Sequence, residues 1–222
     1  MRLSVRNRML AGFALANVAI IAVATVVYNH RPVTPPRIHG VLLAQASPLP
    51  AFSLLDHKGE TFSNSSLQGR WHLVAYGYTT CPDICPTTLS ALSVVVSKLG
   101  DRAEDLRVLF YTIDYRRDTP GQLASYLPFF NRDFVGLTHL DDPDNPHLPF
   151  EQGLGIVARL VPGDDPESDD YQVIHGMTLF LLNPRGELQA ILEPGRSGPG
   201  LQSFDPDSLI TDYLAVRQYL AG

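Results

Sequence analysis

Trp71-His72-Leu73-Val74-Ala75-Tyr76-Gly77-Tyr78-Thr79-Thr80-Cys81-Pro82-Asp83-Ile84-Cys85-Pro86 joins an apolar run to a helix-patterned one and holds both cysteines of the 222-residue chain. Residues 71–78 are nearly continuously apolar, as expected of a central strand covered on both faces. After Pro86, the residues Leu89, Leu92, Val95, Val96 and Leu99 recur at helical spacing. Pro86 suits the first helical turn and Gly100 the stop. The thiols thus sit at a strand-to-helix junction, a setting for redox or metal chemistry. Two cysteines four apart close too short a loop to staple a fold.

On the N-terminal side, Phe52-Ser53-Leu54-Leu55-Asp56 and Glu60-Thr61-Phe62 flank His57-Lys58-Gly59, a hairpin signal. On the C-terminal side, residues 106–113 read as a second buried strand ending at Asp114. Thr119-Pro120 opens a helix that Pro128 ends or kinks. Residues 135–140 read as a short strand, 141–152 as a Pro- and acid-rich loop, 155–161 as a strand and 162–170 as an acidic turn. Residues 173–182 read as one long strand with His175 at its start. Asn183-Pro184-Arg185-Gly186 turns that strand into 187–192, and a Gly/Pro/Ser loop follows over 194–203. Asp205 caps a last helix with Pro206 at its first position. Strands alternating with helices, then a hairpin and a terminal helix, describe an α/β fold of thioredoxin type, a central mixed sheet flanked by helices.

Residues 9–28 form a run of 20 without a charge, long enough at about 1.5 Å per residue to span a bilayer core. Arg2, Arg6 and Arg8 precede it, which keeps that end cytoplasmic and exports the rest. The expected organisation is a basic tail (1–8), one N-terminal transmembrane helix (9–28), a Pro-rich linker (29–50) and the α/β domain (51–222). This places the domain on the exported, periplasmic side of the inner membrane. Of the 17 basic residues, four lie in 1–31, which holds no acid, so the remainder carries 13 basic against 23 acidic side chains. Such a domain repels phosphate backbones, which argues against nucleic acid as a partner.

At the first turn of a helix, backbone N–H groups and the positive dipole end favour thiolates, the form that binds metal and attacks disulfides. Disulfide oxidoreductases of thioredoxin type usually space their cysteines by two residues. The wider pair here can hold a metal between two soft sulfurs, and such a site wants a third ligand. Of seven histidines, His30 and His39 fall in the linker, His57 at a hairpin tip, His72 at the wrong end of its strand and His147 in an acidic loop. His139 stays a candidate. His175 is favoured, because thioredoxin-like proteins bring the start of that strand beside the thiols. Two sulfurs and an imidazole suit Cu(I), Cu(II) or Zn(II), with copper favoured by softness and an exported location. The plainer readings are an inert cysteine pair, a structural His175, a core Met177 and an exposed loop acid at Asp83.

Tyr78-Thr79-Thr80-Cys81-Pro82-Asp83-Ile84-Cys85-Pro86, with Asp114, Arg117-Asp118-Thr119-Pro120, and His175 ahead of Leu179-Phe180-Leu181-Leu182-Asn183-Pro184-Arg185-Gly186, resembles the Sco/SenC family over roughly residues 50–220. The resemblance implies a membrane-tethered thioredoxin-like domain that binds copper through Cys81, Cys85 and His175, with Asp114 an acid near the site. It also implies a metallochaperone serving the dinuclear copper centre of cytochrome c oxidase, by delivery to its copper-bearing subunit, exchange with another copper chaperone, or thiol reduction there. The chain departs from the family where Ile174-His175-Gly176 replaces the common Asp-His-Ser, and where Tyr115-Arg116 interrupts the usual Asp-Pro-Glu-Arg. A membrane-anchored thiol–disulfide oxidoreductase, with Cys81 and Cys85 as its redox pair, is the alternative; a copper or redox sensor is a third reading.

Overall fold

The structure, a computed structural model, describes residues 5–29, 34–162, 171–196 and 202–221. The chain divides into two units, 1–35 with Gly222, and 36–221. In the first, α1 runs Val5–Asn29, and its described side chains over 12–25 are all exposed. Among the described residues, no helix is long and apolar enough to cross a membrane.

The second unit opens with β1 (Gly40–Pro48), the hairpin β2 (Ser53–Asp56) and β3 (Thr61–Ser63), and β4 (Trp71–Gly77). There follow α2 (Ile84–Leu99), β5 (Leu106–Thr112), α3 (Pro120–Tyr126), β6 (Val135–Thr138) and α4 (Leu148–Leu154). The ribbon strands β7 (Ala158–Pro162) and β8 (Tyr171–His175), the sheet strands β9 (Leu179–Leu182) and β10 (Glu187–Leu192), and finally α5 (Pro206–Ala221) complete the fold. The main sheet has the order β1-β10-β9-β4-β5-β6-β2-β3. It is mixed: β4, β5 and β6 are parallel, and the other neighbours antiparallel.

Alternation along β4 makes two cores. Leu73 and Ala75 face Leu89, Leu92 and Val95 of α2 and Tyr213 and Val216 of α5. Val74 and Tyr76 face the opposite layer, with Phe52, Phe62, Phe150 and Leu154. All seven residues of β4 are buried, which explains its near-continuous apolar sequence. α5 starts as its sequence indicates, with Asp205 accepting from the Ser208 N–H at 2.8 Å. Thr119 caps α3 by accepting from the Gln122 N–H at 3.3 Å, and Pro128 falls in a short 3-10 turn after it.

Three expectations need correction. The linker assigned to 29–50 contains β1, an edge strand paired antiparallel with β10 and bulged between Leu42 and Ser47. Prolines at both ends of the segment hide a strand whose irregular, half-exposed side chains lack clean alternation. The loop assigned to 141–152 contains α4. Phe150 and Leu154, one helical turn apart, are buried, and Gly155 ends the helix in the left-handed region at φ 75°. The single strand assigned to 173–182 is two strands in different sheets. β8 pairs with β7, and the chain crosses to β9 through Gly176-Met177-Thr178. Gly176 permits that crossing, since a Cβ there would lie 2.8 Å from the Tyr76 hydroxyl. The acidic turn assigned to 162–170 lies, beyond Pro162, outside the described residues, as do 30–33 of the linker and 197–201 of the later loop.

His72, the second residue of β4, is fully buried, and neither ring nitrogen has a hydrogen-bond partner among the described residues. Burial, reinforced by Arg107, lowers its pKa to about 4. A histidine whose folded pKa lies below its unfolded value stabilises the fold above about pH 6.5 and loses that contribution as pH falls. At pH 5 the loss is about 2 kcal/mol. His72→Leu is therefore expected to narrow the drop in urea midpoint between pH 7.5 and pH 5. Equal drops in variant and parent would contradict this account.

Candidate metal centre

The two thiols are placed by the end of β4 and the start of α2. At Gly77 the end of β4 comes so close to α2 that a Cβ would sit 2.5 Å from Cys85 Sγ. The chain then turns, with Cys81 N–H donating to the Tyr78 carbonyl at 3.2 Å. Asp83 precedes α2 but makes no side-chain cap. Free N–H groups of the first turn are therefore available to sulfur, and Cys85 N–H donates to Cys81 Sγ at 3.5 Å.

The pair is asymmetric. Cys81 is half-buried and Cys85 buried, and both are free thiols. Burial pushes the Cys81 thiol up, but hydrogen bonds from the backbone of Asp83, Cys85 and Ile84 and from the Cys85 side chain outweigh it. The net pKa lies below the ordinary value. At Cys85 burial wins, aided by the neighbouring charges of Cys81 and Asp118, and the pKa is raised. The expectation that the helix start lowers both thiols holds only for Cys81, because Cys85 faces the sheet. Of the two, Cys81 is the thiol that ionises more readily and Cys85 the one that holds its proton.

A buried carboxylate holds the loop that carries Cys81. Asp118 accepts from Thr79 N–H at 2.8 Å, Thr79 Oγ1 at 2.6 Å and Thr112 Oγ1 at 2.7 Å. It thereby ties the residues before Cys81 to the end of β5. Burial raises the Asp118 pKa despite these donors. Asp114, also fully buried, receives Arg117 and the Tyr171 hydroxyl. Tyr171 opens β8, so Asp114 fastens the ribbon that carries His175, and the Arg117 guanidinium lies 4.1 Å from the centre of the Tyr171 ring.

His175 ends β8, half-buried between two tyrosines. The Tyr76 and Tyr78 ring centres lie 5.6 Å and 5.8 Å from its own. Its Nδ1–H donates to the Gly176 carbonyl at 2.7 Å, which leaves Nε2 as the lone-pair nitrogen. Burial lowers its pKa, so the imidazole is neutral near pH 7. His175 and Cys85 line one crevice with Ile84, Thr88 and Met177. It has room for about one water, near 10 Å³. Met177 is half-buried at this wall rather than deep in the core.

Of the three side chains singled out in the sequence, Cys85 and His175 share one crevice, through the crossing between β8 and β9 rather than a continuous central strand, and Cys81 is tied to Cys85 by the bond from the Cys85 N–H. They are not drawn into a closed coordination shell. Among the described residues, the trio of metal-ligand side chains whose donor atoms all lie within 4.8 Å of one another is His139, His147 and Glu151. His139, kept as a candidate third ligand, belongs to that group. Asp118 and Thr79 both stand in the quoted motifs, but only the fold shows the link between them.

The SCO1/SenC family model matches residues 43–201. The chain belongs to the SCO1/SenC family. A putative copper-binding protein of Stutzerimonas stutzeri is 35% identical over 171 residues, covering 76% of this chain and 80% of that one. The SCO2-like protein RC0895 of Rickettsia conorii is 36% identical over 136 residues, 61% of this chain and 64% of its own length. The structure of Bradyrhizobium japonicum ScoI with copper bound superposes with a TM-score of 0.61 at 28% identity, covering 78% of this chain and 99% of that one. The match of the family model begins inside β1, in keeping with a domain that starts before residue 51.

Proposed function

We propose that this SCO1/SenC protein is a copper metallochaperone whose cargo is held by Cys81, Cys85 and His175, and which serves assembly of the dinuclear copper centre of cytochrome c oxidase. One observation carries the reading: buried Cys85 and a neutral imidazole with Nε2 available line one crevice, and the thiolate-favouring Cys81 accepts a hydrogen bond from the Cys85 N–H. Two sulfurs and one imidazole nitrogen suit copper in either oxidation state. The copper-bound state described for the ScoI relative and the name of the Stutzerimonas relative support the choice of metal. Donors not yet closed into a shell fit a cargo that must enter and leave. Recipients consistent with this chemistry are the oxidase's copper-bearing subunit or a second copper chaperone.

The same thiol asymmetry favours a second reading, thiol–disulfide exchange, in which the more accessible Cys81 attacks and buried Cys85 resolves. The two readings separate at His175, which the redox reaction does not need. The membrane placement is part of the proposal: residues 9–28 anchor the protein as a single pass, with the α/β domain on the periplasmic side of the inner membrane. Its supports are the uncharged 20-residue run and the arginines before it.

Metal analysis of the whole chain, purified in detergent under reducing conditions, tests the assignment. One copper per chain is expected, falling to none in Cys81→Ser and Cys85→Ser. Full copper content in both variants would overturn it.

A further inference from the structure

On the opposite side of the sheet core from α2, two buried histidines and an acid gather where no part of the proposed copper chemistry needs them. His139 follows β6, His147 immediately precedes α4, and Glu151 lies one turn into that helix. His139 is 7% exposed and His147 8%. Their rings stack 3.5 Å apart at 7°, an arrangement two imidazolium cations could not share. Burial lowers both pKa values, so both rings are neutral.

The bonding of each group leaves a donor to spare. His139 Nδ1–H donates to the Leu140 carbonyl at 2.9 Å, which sets its Nε2 as the lone-pair nitrogen. His147 Nδ1 is buried with no hydrogen-bond partner among the described residues, a costly state for a core polar atom. Glu151 Oε1 accepts from the Tyr111 hydroxyl at 2.6 Å, which orients the carboxylate and leaves its second oxygen. The donor atoms of the three lie within 4.8 Å of one another. They face a cleft of about 170 Å³ bordered also by Asp141, Asn145 and Arg159.

We propose that His139, His147 and Glu151 form a second metal site, separate from the thiols, for a divalent ion of the zinc type. Two imidazoles and one carboxylate are a recurrent zinc ligand set, with further coordination positions open to the cleft. The set lacks sulfur, so it does not select the soft Cu(I) ion that the thiols favour. Opposite charges of Asp141 and Arg159 leave the negative Glu151 to balance the ion. Binding requires the stacked rings to tilt apart so that their lone pairs converge, and it gives His147 Nδ1 the partner it lacks.

The test uses the whole chain in detergent with Cys81→Ser and Cys85→Ser in place, which removes the thiol site, and titrates it with Zn(II) in competition with Co(II), whose visible bands report coordination. One ion per chain is expected. Glu151→Gln, which keeps the acceptor for Tyr111, and His147→Gln should each weaken binding at least about tenfold, and Tyr111→Phe about tenfold through loss of the orienting bond. Absence of stoichiometric binding to the cysteine-free chain, or unchanged affinity in both Glu151→Gln and His147→Gln, would overturn the proposal. Glu151→Gln decides the matter alone if the histidine variant does not fold. Because the cysteines are absent throughout, either result is independent of the copper assignment.

Discussion

His175→Ala is expected to remove tight Cu(II) binding, with its sulfur-to-copper charge-transfer absorption, while Cys81 remains reactive toward an alkylating reagent. The ring contributes one nitrogen, fixed by the Nδ1–H bond to Gly176 and walled by Tyr76 and Tyr78. Removing an outer-shell partner of a metal ligand commonly costs about 10–100-fold in affinity; removing the ligand itself should cost more than about 100-fold. The thiols are held by different elements. Cys81 keeps its bond from Cys85 N–H and Cys85 its place against Gly77, so the dithiol should survive the substitution. Full disulfide-reductase activity in His175→Ala, together with an unchanged copper spectrum, would assign the site to redox chemistry instead.

Asp118→Ala is expected to be the most damaging single change outside the three proposed ligands. The carboxylate is fully buried and takes three hydrogen bonds, two from Thr79 and one from Thr112. Truncation strands the Thr79 N–H and the Thr112 hydroxyl, at about 1–3 kcal/mol for each unsatisfied buried group. The destabilisation should reach about 3 kcal/mol, read from urea midpoints. Because Thr79 lies two residues before Cys81, copper affinity should fall as well. The negative charge of Asp118 also helps keep the Cys85 proton in place, so Cys85 in the variant should become easier to alkylate. A stability change within about 0.5 kcal/mol, the range of ordinary surface substitutions, would contradict the role given to this carboxylate.

The parts of this structure most legible in the sequence are those whose period and burial agree. β4 reads as a covered strand because both of its faces pack. α2 reads as a helix because Leu89, Leu92 and Leu99 return to one core. The helix start at the thiols was legible from Pro86 and the cysteine spacing. The misread segments share a cause: a local pattern that tertiary contacts override. Residues 173–182 are mostly apolar, and a single glycine marks the place where the chain leaves the β7–β8 ribbon for the main sheet. β1 lies between prolines and depends on β10 for its hydrogen bonds. α4 is seven residues long and buries two side chains, too short to impose a period on its Pro- and Asp-rich flank.

The candidate site divides in the same way. Cys81 and Cys85 declare themselves by spacing, and His175 by its place at the start of an apolar strand. The asymmetry between the thiols was not legible, because it depends on which sulfur faces the sheet. The link from Asp118 to Thr79 joins residues 39 apart and exists only once β4 and β5 pair in parallel. The same holds for His139, His147 and Glu151, which read as a strand end and an acidic loop until α4 folds and stacks the rings.

X-ray absorption at the copper edge, on the whole chain loaded with one equivalent of copper, is the most direct measurement of the central claim. Two sulfurs and at least one imidazole nitrogen are expected around the metal, with the imidazole signal absent in His175→Ala. A shell built from nitrogen and oxygen alone, or an imidazole signal that persists unchanged without His175, would contradict the assignment of the site.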